Sequence, residues 1–473
     1  MPHIVVIGGG ITGLSAAYRL SRSLGKGVTF SLYEAAGRFG GVIQTIEENQ
    51  CLIELGPDSF LSSKPWLIEL CRQLGIQDRV TPTNPQFRRS SVVFRGKLHP
   101  LPEGFLMMAP TQFLPLVRSS LFSWTGKLRM GLDLLLPRGS KTDDESLGAF
   151  VRRRLGQEAL DRVAQPLIGG IYTGDPDQLS LRATMPRFLE MEAQHRSVIL
   201  AMWRQRREAQ RKQQSDSSDS GARYSELVSF DRGIQTVIDR LVERLPPEAL
   251  HCNCSVTQIE RTDKRWRLTL SDGRMEFADG VILALPASRS AALLKGMDAG
   301  LAAELDEIPH ASSTILNIGY RLSDIPHPMN GFGFVVPTVE HRRIIACSYS
   351  HVKFRGRVPE SLALLRAFVG GATQPHLFNL DDNELIRVVR EELRDLLGVT
   401  AEPVFTRISR YPASMPQYRV GHTTLVTRIR TLAAEHYGLA LAGNAYEGVG
   451  LPDCVRSGQS AADSLLKAFL PSD

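Results

Sequence analysis

Gly8, Gly10 and Gly13 stand between an apolar run, Ile4 to Ile7, and a stretch in which Leu14, Ala16, Ala17 and Leu20 recur at helical spacing. Each glycine has a separate mechanical task. Gly8 permits a tight turn out of a strand, Gly10 lets backbone approach a pyrophosphate, and Gly13 lets the helix pack closely on the strand. With Gly9, Ile11 and Thr12 they form a loop whose free amides and helix dipole attract phosphate. About twenty residues further on, the strand-like run Val28 to Tyr33 ends at Glu34. A carboxylate there can accept hydrogen bonds from a ribose diol and would repel a 2′-phosphate, so NADP is disfavoured. These residues alone leave NAD and FAD equally good.

The segment beginning at Glu34 separates them. Glu34-Ala35-Ala36-Gly37-Arg38-Phe39-Gly40-Gly41 resembles the ExxxRxGG extension of glutathione-reductase-like flavoproteins, which implies that Arg38, Gly40 and Gly41 reach the pyrophosphate and flavin of FAD. Gly56-Pro57-Asp58-Ser59 resembles the loop that passes the isoalloxazine ring in the amine-oxidase branch of those proteins. Near the other end of the chain, Gly443-Asn444 breaks a short apolar strand, and Gly448-Val449-Gly450 precedes a helix that opens on Pro452-Asp453. Bare amides at Gly448, Val449 and Gly450 would suit the flavin's pyrimidine edge, where negative charge develops on reduction. Both ends of the polypeptide are therefore expected to close on one dinucleotide.

The elements that must position these residues fit a chain of 473 residues, too long for one core. A net charge of +6 favours an anionic ligand or membrane surface, and no aromatic-interleaved basic stripe points to nucleic acid. Six cysteines without framework spacing, and a chain that opens directly on a strand, fit a reducing cytoplasm. Cys252 and Cys254 read as structural, so no metal site is expected. No apolar run is long enough to span a bilayer, which limits membrane contact to the periphery. Residues 101 to 137 are apolar, basic-flanked and acid-poor; they suit either a helical subdomain on anionic lipid or a buried helix pair beside an active site. A polar stretch around 213 to 221 reads as a solvated excursion. Gly331 to Pro337 and Phe368 to Gly371 are glycine-aromatic insets, marking either close approach of a ligand or sheet-edge bulges.

Taken together, these segments resemble the oxygen-dependent protoporphyrinogen and coproporphyrinogen oxidases of haem biosynthesis along the whole chain. The resemblance is carried by Gly56-Pro57-Asp58-Ser59-Phe60-Leu61, Gly169-Gly170-Ile171-Tyr172-Thr173-Gly174-Asp175-Pro176, Gln194-His195-Arg196-Ser197, Gly331-Phe332-Gly333-Phe334 and the 443 to 454 segment. It implies an α/β fold with a Rossmann-type FAD domain, a mixed-sheet α+β substrate domain and a helical membrane-associated subdomain. The expected division is 1–85, 224–290 and 431–473 for FAD; 86–100 and 291–430 for substrate; 101–205 for the helical part; and 206–223 for a mobile polar insert.

The implied reaction is oxidation of protoporphyrinogen IX by dioxygen through three hydride transfers to flavin N5, with release of hydrogen peroxide. It needs no obligatory acid or base residue. Coproporphyrinogen III is the alternative substrate, and an amine oxidase, a carotenoid-type desaturase or a non-catalytic porphyrin carrier are further readings. By resemblance Arg89, or Arg88 if the register shifts, would hold a propionate. Phe332, Gly333, Val335 and Phe368 would sandwich the macrocycle, Gly170 and Gly174 would line the same cavity, and the backbone of Val256 would meet adenine. His195 is expected to make a structural hydrogen bond. Monomer and homodimer both remain open.

Overall fold

A computed structural model describes residues 1–470 except 24, 26, 103, 104, 107, 108, 111, 112, 140–143, 216–226, 263 and 264. Ile4, Val5 and Val6 are fully buried because their strand, His3–Ile7, is central in a five-stranded parallel sheet. Thr29–Tyr33 and then Leu250–His251 lie on one side of it, Gly280–Leu283 and then Leu439–Leu441 on the other. Three distant stretches of chain thus build one sheet. The apolar runs of His3–Ile7 and Gly280–Leu283 are what burial on both faces requires.

A second, seven-stranded sheet runs in the order Phe405–Pro416, His310–Arg321, Leu362–Gly370, Ala346–Tyr349, Gly333–Val335, Ser91–Phe94, Lys97–Pro100. Both glycine-aromatic insets belong to it, and neither is a bulge at its edge. Gly333 takes a φ of +136°, and a Cβ there would lie 2.1 Å from the Cys347 carbonyl oxygen of the adjacent strand. The inset therefore marks close approach of backbone to backbone. An antiparallel meander, Val256–Thr262, Arg265–Leu270 and Met275–Ala278, turns at Ser271-Asp272-Gly273 as its composition suggests.

Helices fill most of 113–215, around a core that includes Leu121, Phe122, Met130, Phe150, Val163 and Met202. At its centre Arg154, fully buried, donates to the Asp133 carboxylate and to the Arg196 carbonyl, while Ser197 Oγ donates to Asp133 at 2.6 Å. This explains the Gln194 to Ser197 motif as the seat of an interior ion pair. His195 Nδ1 lies 3.3 Å from an Arg204 nitrogen.

The segment 101–137 divides its apolar side chains between the interior and the surface. Leu116, Leu121, Phe122 and Met130 point inward, whereas Leu114, Val117, Trp124, Leu128, Leu132 and Leu135 are exposed. Among the described residues no helix is long and apolar enough to cross a membrane. Gln213 to Ser215 of the polar stretch end the helix Val198–Ser215, while Asp216 to Gly221 falls outside the described residues, as do Met107 and Met108.

Candidate functional site

The two glycine patches meet. The helix Ile11–Ser21, behind the first, packs along the helix Leu451–Phe469, behind the second. Where they cross, a Cβ on Gly458 would stand 2.1 Å from the Thr12 carbonyl oxygen. On the outer side Arg19 Nε donates to Asp463 at 2.6 Å.

Within the first patch, Gly8 has a φ of +107° and donates to the Tyr33 carbonyl at 2.8 Å, and a Cβ on Gly13 would strike the Gly8 oxygen at 1.8 Å. Gly10 differs from both. Nothing lies within 4 Å of the place its Cβ would take. It caps the helix without a side-chain hydrogen bond, and the first turn holds no acidic residue. Open space over an uncapped helix N-terminus is what a pyrophosphate fills, so these residues fit a dinucleotide. Ile11 and Thr12 are buried beneath the loop.

Glu34 accepts from the Gly9 amide at 2.6 Å and from the Ala36 amide at 2.8 Å. Each carboxylate oxygen keeps a further lone pair for a ribose hydroxyl. The entrance to the meander runs alongside, with Cys254 N donating to the Glu34 carbonyl at 3.0 Å, which brings Val256 to this end. The Arg38 guanidinium donates to the carbonyls of Phe39, Gly41 and Ile43, so it braces the turn from within. The braced turn contacts the first patch directly, through Gly40 N to Gly9 O at 2.8 Å and through Gly41 against Gly10. Were Glu34 to hold the ribose, a dinucleotide over Gly10 would send its other half past Gly41. From there Val42 leads to Gly56, whose Cβ would lie 1.9 Å from the Val42 oxygen.

Beyond Gly56 and Pro57 the side chains of Asp58 and Ser59 turn to the seven-stranded sheet. Asp58 pairs with Lys353 at 2.9 Å and with Arg366 at 3.0 Å, and Ser59 Oγ donates to Asp58 at 2.7 Å. Burial opposes ionisation of Asp58, but the two cations outweigh it and hold the carboxyl well below the usual carboxylate range. At the second patch, Gly443 N donates to Ser457 Oγ at 2.9 Å and the Asn444 carbonyl accepts from Tyr418. The amide of Gly450 is engaged by Asp453 at 3.2 Å and a Cβ on Gly448 would meet Asp453 Cγ at 2.4 Å. This corrects the expectation of a fully bare row of amides, since the first-turn Asp453 caps its own helix.

Residues directly opposite in neighbouring strands share a sheet face. Val335, Ala346, Phe368, Ile315 and Ser409 form one such row, and Gly333, Ser348, Arg366 and Asn317 the next. The helix Gln165–Tyr172 covers this face at Gly170, where a Cβ would be 3.8 Å from Val335. Arg89, exposed, accepts from Phe332 N through its carbonyl at 2.7 Å. The structure therefore brings Arg89, Gly170, Phe332, Gly333, Val335 and Phe368 to one region. Gly174 stands apart, buried against Gln417 and Leu179, where a Cβ would approach to 2.5 and 2.8 Å. At that position it serves packing. Sequence reading missed Gly458, Lys353, Asn317 and Arg366. Only Arg366 left a signal, as the single charge inside the apolar run Leu362 to Val369.

A parallel sheet with an uncapped glycine loop, a glutamate held by two amides at the end of the neighbouring strand and a second mixed sheet joined to the Gly56 loop are the frame of a dinucleotide-binding oxidoreductase. Residues 11–466 match the flavin-containing amine oxidoreductases, and the chain belongs to that family, with FAD as its cofactor. It is 35% identical to the coproporphyrinogen III oxidase of Bacillus subtilis (strain 168), covering 98% of both chains. It is 32% identical to the protoporphyrinogen oxidase of Bos taurus, again covering 98% of both. Among solved structures, a protein from Exiguobacterium sp. 255-15, provisionally called a protoporphyrinogen oxidase, superposes with a TM-score of 0.86 at 32% identity, covering 98% of each chain.

Proposed function

We propose that the protein oxidises a porphyrinogen in haem biosynthesis and that its substrate is coproporphyrinogen III. The carrying observation is the mixed-sheet face with Val335, Ile315 and Phe368, which runs into the Gly56 loop at the open end of the cofactor site. Full-length similarity to a named coproporphyrinogen III oxidase supports this substrate over protoporphyrinogen IX, the expectation drawn from sequence. FAD supplies two-electron acceptance from a meso C–H bond and delivery to dioxygen, so three rounds account for a six-electron oxidation with release of hydrogen peroxide.

The chain's own part is placement. Gly8 to Gly13 and Glu34 hold the cofactor's pyrophosphate and ribose, and Gly40, Gly41 and Gly56 leave its path unobstructed. Phe332, Val335 and Phe368 offer apolar surface to a macrocycle and exclude water from it. Arg89 offers a guanidinium to an anionic propionate. Asp58 is tied to two cations, Arg366 of the sheet and Lys353 of the short helix Ser350–Lys353, and so is not poised as a general base. Pyrrole protons leave to solvent or by tautomerisation. The exposed apolar residues of 114–135, with Lys127 Nζ 4.6 Å from the Trp124 ring centroid, supply a peripheral contact for an anionic membrane.

The test is anaerobic mixing of the FAD-loaded protein with coproporphyrinogen III and, separately, protoporphyrinogen IX. Faster bleaching of the flavin absorbance by the former is expected. Preference for protoporphyrinogen IX would overturn the substrate, and inertness toward both would overturn the reaction.

A further inference from the structure

A charge imbalance lies beneath the Gly56–Ser59 loop. Asp58 is shared by two buried cations, Lys353 at 2.9 Å and Arg366 at 3.0 Å. The neighbouring carboxylate, Glu54, is already matched by Arg357 at 2.9 Å. These five side chains thus bring three cations against two carboxylates. Arg366 also donates to the Gly56 carbonyl, and its side chain is only 2% exposed. Its Nε has no hydrogen-bond partner, and neither has Oδ1 of Asn317, directly opposite in the sheet. An unmatched buried charge is costly, and so is an unpaired buried N–H. The arrangement is one that an arriving negative charge would complete.

We propose that Arg366, positioned by Asp58 and Gly56, presents this unneutralised charge to the redox-active ring of FAD and makes the bound cofactor easier to reduce. The inference rests on the ring end lying beyond Gly41 at Gly56. Hydride transfer from a substrate C–H breaks that bond and brings the ring two electrons and one proton, so the ring gains one negative charge. Arg366 stabilises the product of that step more than its starting state. It touches the Gly56 loop and acts through position and charge, without itself transferring a proton.

The experiment measures the two-electron midpoint potential of the FAD-loaded, full-length protein by dye equilibration, without substrate. Wild type is compared with Arg366→Met, Arg366→Lys, Lys353→Met and Asp58→Asn. Removing either cation is expected to change the ratio of oxidised to reduced cofactor at least tenfold toward oxidised, about 30 mV downward for a two-electron couple. Arg366→Lys keeps the charge and stays near wild type, and Asp58→Asn moves the potential upward. A structural role alone would not produce opposite signs for loss of a cation and loss of the carboxylate. Unchanged potentials in Lys353→Met and Asp58→Asn, or shifts of one sign in all variants, would overturn the proposal even if Arg366→Met failed to fold. Since no substrate is present, a wrong substrate assignment and a wrong role for Arg366 give separate results.

Discussion

Replacing Gly458 by alanine tests whether the two ends of the chain are joined through close helix contact. By helix propensity alone the change should stabilise the Leu451–Phe469 helix by about 1 kcal/mol. The structure predicts the opposite sign. The new Cβ would stand 2.1 Å from the Thr12 carbonyl oxygen and 3.2 Å from the Ala16 nitrogen, backbone atoms that cannot rotate away. The helices would have to separate by more than 1 Å to restore ordinary contact, which begins near 3.4 Å. Overpacking of this kind costs about 1–3 kcal/mol, occasionally more. Because the struck atoms are backbone, the upper part of that range, about 2–3 kcal/mol, applies; set against the propensity gain of about 1 kcal/mol, and with Thr12 in the turn that receives the pyrophosphate, the net loss should be about 1–2 kcal/mol, a factor of roughly 5–30 in FAD affinity. Fluorescence titration of apoprotein with FAD reads the affinity, and thermal unfolding with and without FAD reads the stability. Gly131→Ala is the control, because Gly131 has a helical φ of −59° and open space where its Cβ would be. If Gly458→Ala behaves like that control, the close helix contact does not exist and the two ends are not joined there.

Three further outcomes are expected. Glu34→Gln removes the charge from an acceptor held by two amides and should weaken FAD binding by about 10–150-fold, the roughly 1.5–3 kcal/mol of a charged hydrogen bond; unaltered affinity would show that Glu34 is a strand-end charge only. Because the folded-state pKa of Asp58 is depressed, its ion pairs contribute stability that is complete above the unfolded value of about 3.9 and is lost as pH falls below it. Acid unfolding of Asp58→Asn should therefore be shallower than that of wild type below about pH 4, and parallel curves would contradict this. Serine at Trp124, Leu128 and Leu135 should abolish flotation with anionic vesicles while leaving FAD content intact; equal flotation would place any lipid contact elsewhere.

Much of the cofactor site was legible in the chain because its chemistry is local. A phosphate loop needs glycines at fixed offsets between a buried strand and a helix, and a ribose acid at the end of the next strand, so Gly8, Gly10, Gly13 and Glu34 announce themselves by spacing. Gly41 and Gly56 lie on the same continuous stretch. The parallel strands were legible for a similar reason, since burial on both faces demands unbroken apolar runs at Ile4 to Ile7 and Val281 to Leu285.

What long-range packing decides left little trace in the chain. Gly458 looks like any helical glycine until Thr12, hundreds of residues earlier, is laid against it. Whether Asp58 meets a cofactor or an ion pair depends on Lys353 and Arg366, which only the folding together of distant segments delivers, and the amide of Gly450 is claimed by an aspartate that equally well reads as a dipole partner. Gly174 and Gly170 are near neighbours in one motif, yet one packs under Gln417 and the other faces Val335. Short-range spacing determines the loops that hold a dinucleotide, because turns and helix ends are made by adjacent residues. Only the tertiary structure decides which charges are buried together beneath it, because charge pairing depends on distance in space and places no constraint on distance along the chain.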